Sequence, residues 1–182
     1  DYIKTNNLPL QIINGVEIST RWHGFEIHIV GLNFDPTNQP LQALLAEQAS
    51  AREERAINMA SKLEKCGFEG IYDEAKLLAK DGTITRSHFA QALYNRGEIT
   101  KLQSAFDKYI GKNKRAFVKS NWCDMATAID AIHQAGGSAV MAHPIRYDMS
   151  GKWRRKLIVE FKSLGGDALE IVCLLYTSDA AD

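Results

Sequence analysis

Three residues stand where chemistry could be done. Glu17 lies inside the apolar run "GVEIS", His28 inside "FEIHIVGL", and His143 directly after "AVMA" and before Pro144. Strands that read as buried normally exclude such groups, because an unpaired carboxylate in an apolar setting is costly. One carboxylate and two neutral imidazoles are a divalent-metal ligand set, in which the carboxylate can bridge two ions. The three are far apart in the chain, so no local spacing motif unites them. Each also has a plain reading: a hydrogen-bonded histidine in an alternating strand for His28, a strand-end carboxylate reaching water or an arginine for Glu17, a structural strand-end histidine for His143. Pattern alone favours the plain readings.

Other residues could bind phosphate. "TRSHFAQALYNRG" places Arg86 and His88 in the first turn of a helix, where free amides and the helix dipole favour anions; the alternative is an ordinary solvated helix start. "KYIGKNKRAFVKSNW" gathers Lys108, Lys112, Lys114, Arg115 and Lys119 without an acid, interleaved with Tyr109, Phe117 and Trp122. Such a run suits a groove that neutralises phosphates and stacks bases, although charge runs are usually solvated faces. Arg146 and Tyr147 sit beside His143, so Arg146 could touch a phosphate held there, whereas Arg154, Arg155 and Lys156 read as helix surface. No P-loop, Gly-x-Gly-x-x-Gly, Gly-x-Ser-x-Gly or zinc-finger spacing is present, which disfavours those classes.

The elements that must position these residues follow from periodicity. "LQIINGVEIS" and "FEIHIVGLNF" read as two strands joined by a turn over Arg21 to Gly24, and "DPTNQP" then breaks the chain. Leu41, Leu45, Ala49, Ala56, Ala60 and Leu63 make one apolar stripe, predicting a helix over about 40–65. Shorter helices are predicted near 72–80, from a Thr85 cap to Gly97, and from a Thr100 cap to about Tyr109. "DMATAIDAIHQAGG", "SAVMAHP", "SGKWRRKLIVEFKSLGG" and "DALEIV" then repeat helix, glycine pair, strand, which is the rhythm of a parallel sheet or barrel. His143 falls at the C-terminal end of such a strand, the edge where α/β folds build their sites.

Composition sets outer limits. The 182 residues are 45% hydrophobic and 24% charged with formal net charge zero, enough for a real core and no general polyanion binder. No apolar run approaches a membrane span, and no secretory signal opens the chain. Cys66, Cys123 and Cys173 are odd in number and widely spaced, reading as reduced thiols of a cytoplasmic protein. The start at Asp1 and the polar ending "LLYTSDAAD" read as cut points, the latter as foreign sequence.

"GVEIS", "EIHIVGL", "TRSHFA" and "AVMAHPIRY" together resemble the PHP (polymerase and histidinol phosphatase) superfamily of metal-dependent phosphoesterases, within it the branch of RNase AM. The resemblance runs from about Leu10 to about Val172. It implies an α/β fold, a partial distorted (β/α) barrel carrying a helical insertion. Barrel strands would occupy 1–39, an insertion roofing the active site 40–122, barrel βα units 123–173, and a non-native or disordered tail 174–182.

By the same resemblance Glu17, His28 and His143 are metal ligands of a site that holds three divalent ions in the family. Manganese is the expected metal, with iron and zinc as alternatives, and metal-activated water is the nucleophile. Arg86, His88 and Arg146 become phosphate ligands, and Lys108, Tyr109, Lys112, Lys114 and Arg115 candidate RNA contacts. The implied activity of the intact parent is hydrolysis of 5′-phosphorylated short RNA and of nucleoside 3′,5′-bisphosphates. The alternatives are a phosphatase of a small metabolite such as histidinol phosphate, and a non-catalytic RNA-binding module. No obligate protein partner is expected. The family's His-x-His pair, the acidic ligand and histidine that follow it, and its late Asp-x-His pair have no counterpart here. The chain by itself is therefore expected to be inactive or nearly so.

Overall fold

In the computed structural model, which describes residues 5–171, β1 (Gly15–Trp22) and β2 (Phe25–Leu32) pair antiparallel from Gly15↔Leu32 to Trp22↔Phe25. The connection is a two-residue turn with positive φ at both His23 (45°) and Gly24 (87°), the handedness that matches strand twist. The first strand was expected to begin near Leu10, but residues 10–14 are irregular. The reason is pairing: β2 ends at Leu32 and the chain turns at Asn33 (φ 56°), whose amide still bonds Asn14 O at 2.8 Å, and among the described residues no strand pairs with 10–13.

The helices follow as α1 (Gln39–Glu64), α2 (Ile71–Ala79), α3 (Arg86–Asn95) and the short α4 (Leu102–Ala105). Where a helix capped by Thr100 was expected to run to Tyr109, the last extended residue is instead Lys101, and α4 passes into a π-helical turn over Phe106–Ile110. The remainder is β3 (Cys123–Asp124), α5 (Met125–Gln134), β4 (Ser138–Met141), a 3-10 turn (Pro144–Arg146), α6 (Gly151–Ser163) and β5 (Ala168–Leu169). The tail at 174–182 and Cys173 lie outside the described residues.

The chain divides into two compact units, one formed by residues up to Leu45 with those from Trp122, the other by Ala46–Asn121. In the first, a mixed five-stranded sheet has the order β3-β1-β2-β4-β5. The pairs β1–β3 and β4–β5 are parallel, while β2 is antiparallel to both its neighbours. Four strands thus run in one direction against β2 alone, and their C-terminal ends share one edge. The parallel β4–β5 pair is what the repeated helix–glycine–strand pattern predicts; the hairpin makes the sheet mixed.

Alternation assigns the faces. Ile18, Ile27, Ile29, Ala139 and Met141 are buried with Ile129 and Ile132 of α5 and Leu157 and Phe161 of α6; each such isoleucine contributes about 2–3 kcal/mol of burial. Glu17, Ser19 and Arg21 of β1, with Glu26, His28 and Val30 of β2, therefore face the other way. In the helical unit, Leu63, Ile71, Phe89, Leu93 and Ile110 form a separate core. There Arg96 makes a two-pronged bond to Glu74 (2.8 and 2.7 Å), which holds that carboxyl below its usual range.

One ion pair closes the edge of the sheet. The Asp167 carboxylate lies 2.9 Å from His133 Nε2 on α5 and accepts the Ala139 amide at 2.8 Å. These bonds, that of His133 first, lower the pKa of Asp167. A depressed carboxyl pKa contributes stability that is present above its unfolded value, near 3.8, and is lost as pH falls through the folded value. Asp167→Asn should therefore destabilise the chain at neutral pH, by at most about 1 kcal/mol for so exposed a pair, and leave it unchanged well below pH 3. Urea melts across the acid range check this; an equal loss at every pH would contradict it.

Candidate metal centre

The register places Glu17 and His28 on one face as a diagonal cross-strand pair, since His28 lies opposite Ser19 and Glu17 opposite Val30. His28 Nδ1 is 2.8 Å from Glu17 Oε1. The Glu17 side chain is 51% exposed and that of His28 26%, so neither is the buried misfit that the apolar runs implied. Each sits in an apolar run only because every second residue of that run faces the core.

His143 reaches the same face from the end of β4. The ladder continues one residue past the strand, with the Ala142 amide donating to His28 O at 3.0 Å. His143 then adopts a left-handed conformation (φ 32°, ψ 54°), and Pro144 opens the 3-10 turn. Its ring stands edge-on to that of His28, with centroids 5.2 Å apart. Ligand atoms of Glu17, His28 and His143 all lie within 4.8 Å of one another.

Two features test whether this set fits a cation. His143 Nδ1 is buried and has no hydrogen-bond partner among the described residues, an arrangement costly for a polar atom unless a ligand completes it. The surroundings are also acidic. The Tyr147 phenol is pushed up to about 12 by burial, opposed by the hydrogen bond from His28 and reinforced by the charges of Glu17, Glu170 and Glu26. Carboxylates gathered around two imidazoles favour a bound cation. The donors fit a divalent metal.

Supporting residues surround the ligands. The Tyr147 hydroxyl accepts the His28 amide at 2.8 Å and donates to Ala142 O at 2.9 Å. Glu170 Oε2 accepts the His143 amide at 3.0 Å. Arg154, expected on the helix surface, is half-buried and donates from Nε to Pro144 O (3.1 Å) and from Nη2 to Met149 O (3.4 Å). Sequence reasoning assigned none of these roles. Glu170 had a signal in "LEI", which repeats the setting of Glu17 in "VEI".

The remaining candidates lie elsewhere. Arg146 is exposed at the end of the 3-10 turn, three residues after His143. Arg86 and His88 belong to the helical unit, at the start of α3. The Arg86 guanidinium lies 5.5 Å from the centre of the Phe117 ring, and its buried Nε has no partner among the described residues. His88 Nδ1 accepts the Thr85 amide at 3.1 Å, which caps the helix. Lys108, Lys112, Lys114 and Arg115 are exposed, whereas Tyr109 packs edge-on against Phe68 at 5.0 Å. Trp122, expected as a stacking platform, is buried and offers no open face.

Comparison with known proteins follows the same line. No family model matches the chain. It is 50% identical over 177 residues to a 5′-3′ exoribonuclease of Haemophilus influenzae, covering 97% of this chain and 64% of that protein. The exoribonuclease Rnm of Escherichia coli is 43% identical over 93% of this chain and 58% of its own length. A 3′,5′-nucleoside bisphosphate phosphatase of Chromobacterium violaceum is 37% identical over 89% of this chain and 57% of its own length. A solved amidohydrolase from the same organism, with bound sulfate and no metal, superposes with TM-score 0.79 at 37% identity, over 86% of this chain and 56% of that one. These relatives are consistent with the PHP resemblance of the sequence. A structure assigned as a metal-dependent phosphoesterase of Bifidobacterium adolescentis (TM-score 0.75, 24% identity, 91% of this chain and 59% of that one) has the same fold. The chain spans less than two thirds of the length of these relatives. Among the described residues, no helix is long and apolar enough to cross a membrane.

Proposed function

We propose that Glu17, His28 and His143 hold divalent metal in a phosphoesterase site, and that the whole protein hydrolyses 5′-phosphorylated short RNA and nucleoside 3′,5′-bisphosphates. The observation that carries this reading is the convergence of the three side chains within 4.8 Å, with His143 Nδ1 buried and lacking a partner. The exoribonucleases and the bisphosphate phosphatase among its relatives support the substrate class.

When bound, the metal would supply an activated water and neutralise charge gathering on the phosphate. Oxygen and imidazole donors without a thiolate suit manganese. Glu17 would bring the negative charge that holds the cation, and the two imidazoles would bind it while neutral. Arg146 would engage the phosphate beside His143. In the helical unit, Arg86, His88 Nε2 and the exposed Lys108, Lys112, Lys114 and Arg115 would contact RNA phosphates. Cytoplasmic residence fits Cys66 and Cys123, neither of which forms a disulfide among the described residues.

Calorimetric titration of the chain with Mn2+ tests the site without relying on turnover. Saturable binding that is lost in both Glu17→Gln and His143→Ala is expected; no binding, or binding indifferent to both changes, would refute the reading. Phosphate release from adenosine 3′,5′-bisphosphate by these 182 residues alone should be slight. Robust release abolished by His143→Ala would overturn that expectation.

A further inference from the structure

Each histidine of the proposed centre is set by backbone as well as by side chain, and one hydroxyl joins the two. The Tyr147 hydroxyl accepts the His28 amide (2.8 Å) and donates to the carbonyl of Ala142 (2.9 Å), the residue immediately before His143. Its ring also stands 5.3 Å from that of His143, tilted at 62°. A single side chain therefore joins both ligand-bearing segments through three contacts.

The loop that carries Tyr147 is held from its far side as well. Arg154 of α6 donates to Pro144 O and Met149 O, which bracket Tyr147 in sequence. Tyr147 and Met149 themselves pack on the sheet's core. The loop is thereby fixed at both ends and at its centre, and His143 at its head keeps a left-handed backbone that no L-residue adopts by preference.

From this geometry we propose that Tyr147 is a positioning residue of the metal centre, with the Arg154 contacts keeping its loop in place. It sets the distance between the two imidazoles before any ion arrives. Removing its hydroxyl leaves the His28 amide and the Ala142 carbonyl without that bond and frees the start of the loop to shift. The inference rests on the metal reading above.

The test is Tyr147→Phe in the 182-residue chain, titrated with Mn2+ by calorimetry and with Co2+ by visible absorption. Leu157→Val, in the core and away from the ligands, serves as a control for lost stability, and His143→Ala as the reference for a lost ligand. We expect Tyr147→Phe to weaken Mn2+ about 10–100-fold, the usual consequence of losing an outer hydrogen bond to a ligand. The Co2+ band at saturation should shift, because the ligand geometry changes. Leu157→Val should leave both readings as in the unmodified chain. Wild-type affinity and spectrum in Tyr147→Phe would overturn the proposal while the metal reading stood. Failure of the unmodified chain to bind, or binding by His143→Ala as by the unmodified chain, would instead overturn the metal reading and this inference with it. If Tyr147→Phe does not fold, the same readings on Arg154→Gln decide: weakened binding supports the proposal, and unchanged binding overturns it.

Discussion

His143→Gly should yield a chain more stable than His143→Ala, and neither variant should hold metal. His143 has φ 32° and ψ 54°, a conformation that costs an L-residue roughly 1–2 kcal/mol and glycine almost nothing. Pro144 follows it and narrows the choice of backbone further. Alanine keeps the strain and loses the ring, whereas glycine loses both. Part of the gain is offset by the greater freedom of glycine in the unfolded chain, so glycine should exceed alanine by about 1 kcal/mol. Both should weaken Mn2+ by more than the roughly 10–100-fold that follows loss of a supporting hydrogen bond, since a ligand itself is gone. Urea melts in EDTA give the stability order, and calorimetry gives the affinities. Equal stability of the two variants would show that the backbone at 143 is not strained, and Mn2+ affinity equal to that of the unmodified chain would remove His143 from the ligand set.

Strain of this kind is invisible in a sequence, which explains much of what was and was not legible. The hairpin, α1 and the two helix–glycine–strand units follow from periods of two and 3.6 and from their breakers. The start of β1 did not, because "LQII" has strand chemistry but, among the described residues, no strand opposite it. The three candidate ligands were legible as misplaced polar residues, and their side of the sheet follows from the same alternation that buries Ile18, Ile27 and Ile29. Their convergence needed the register, which no local pattern carries. Tyr147, Arg154 and Glu170 act through backbone groups of distant residues, His28 and Ala142, Pro144 and Met149, and His143. A tyrosine, an arginine and a glutamate with such roles look like any others until the chain has folded. Trp122 shows the opposite error: an aromatic beside basic residues read as a platform, but apolar burial claimed it.

Gly166→Ala should cause the largest loss of stability among simple changes near the sheet. A Cβ at 166 would lie 2.2 Å from two ring atoms of Phe161. Phe161 is itself buried against the sheet and cannot swing aside, so the strain must pass into the backbone. A cost of about 3 kcal/mol, at the upper end of ordinary overpacking, is expected. The preceding glycine differs in kind: Gly165 has φ +94° and nothing closer than 3.5 Å to an added Cβ, so Gly165→Ala should cost only about 1–2 kcal/mol of backbone strain. Urea melts of the two variants check this order, and the reverse order would refute the packing argument. The effect should also reach the metal centre. Gly166 leads directly into Asp167, whose amide bonds Ala139 O at 2.9 Å, and three residues later the Glu170 amide bonds Met141 O at 2.9 Å. Glu170 then uses its carboxylate to hold the His143 amide. A chain displaced at 166 enters β5 out of register with β4 and carries that carboxylate away from His143. Gly166→Ala should therefore weaken Mn2+ as well, by less than His143→Ala does, because the ligand remains and only its support has moved. Unchanged affinity in a destabilised Gly166→Ala protein would mean that β5 and Glu170 stabilise the fold without positioning His143.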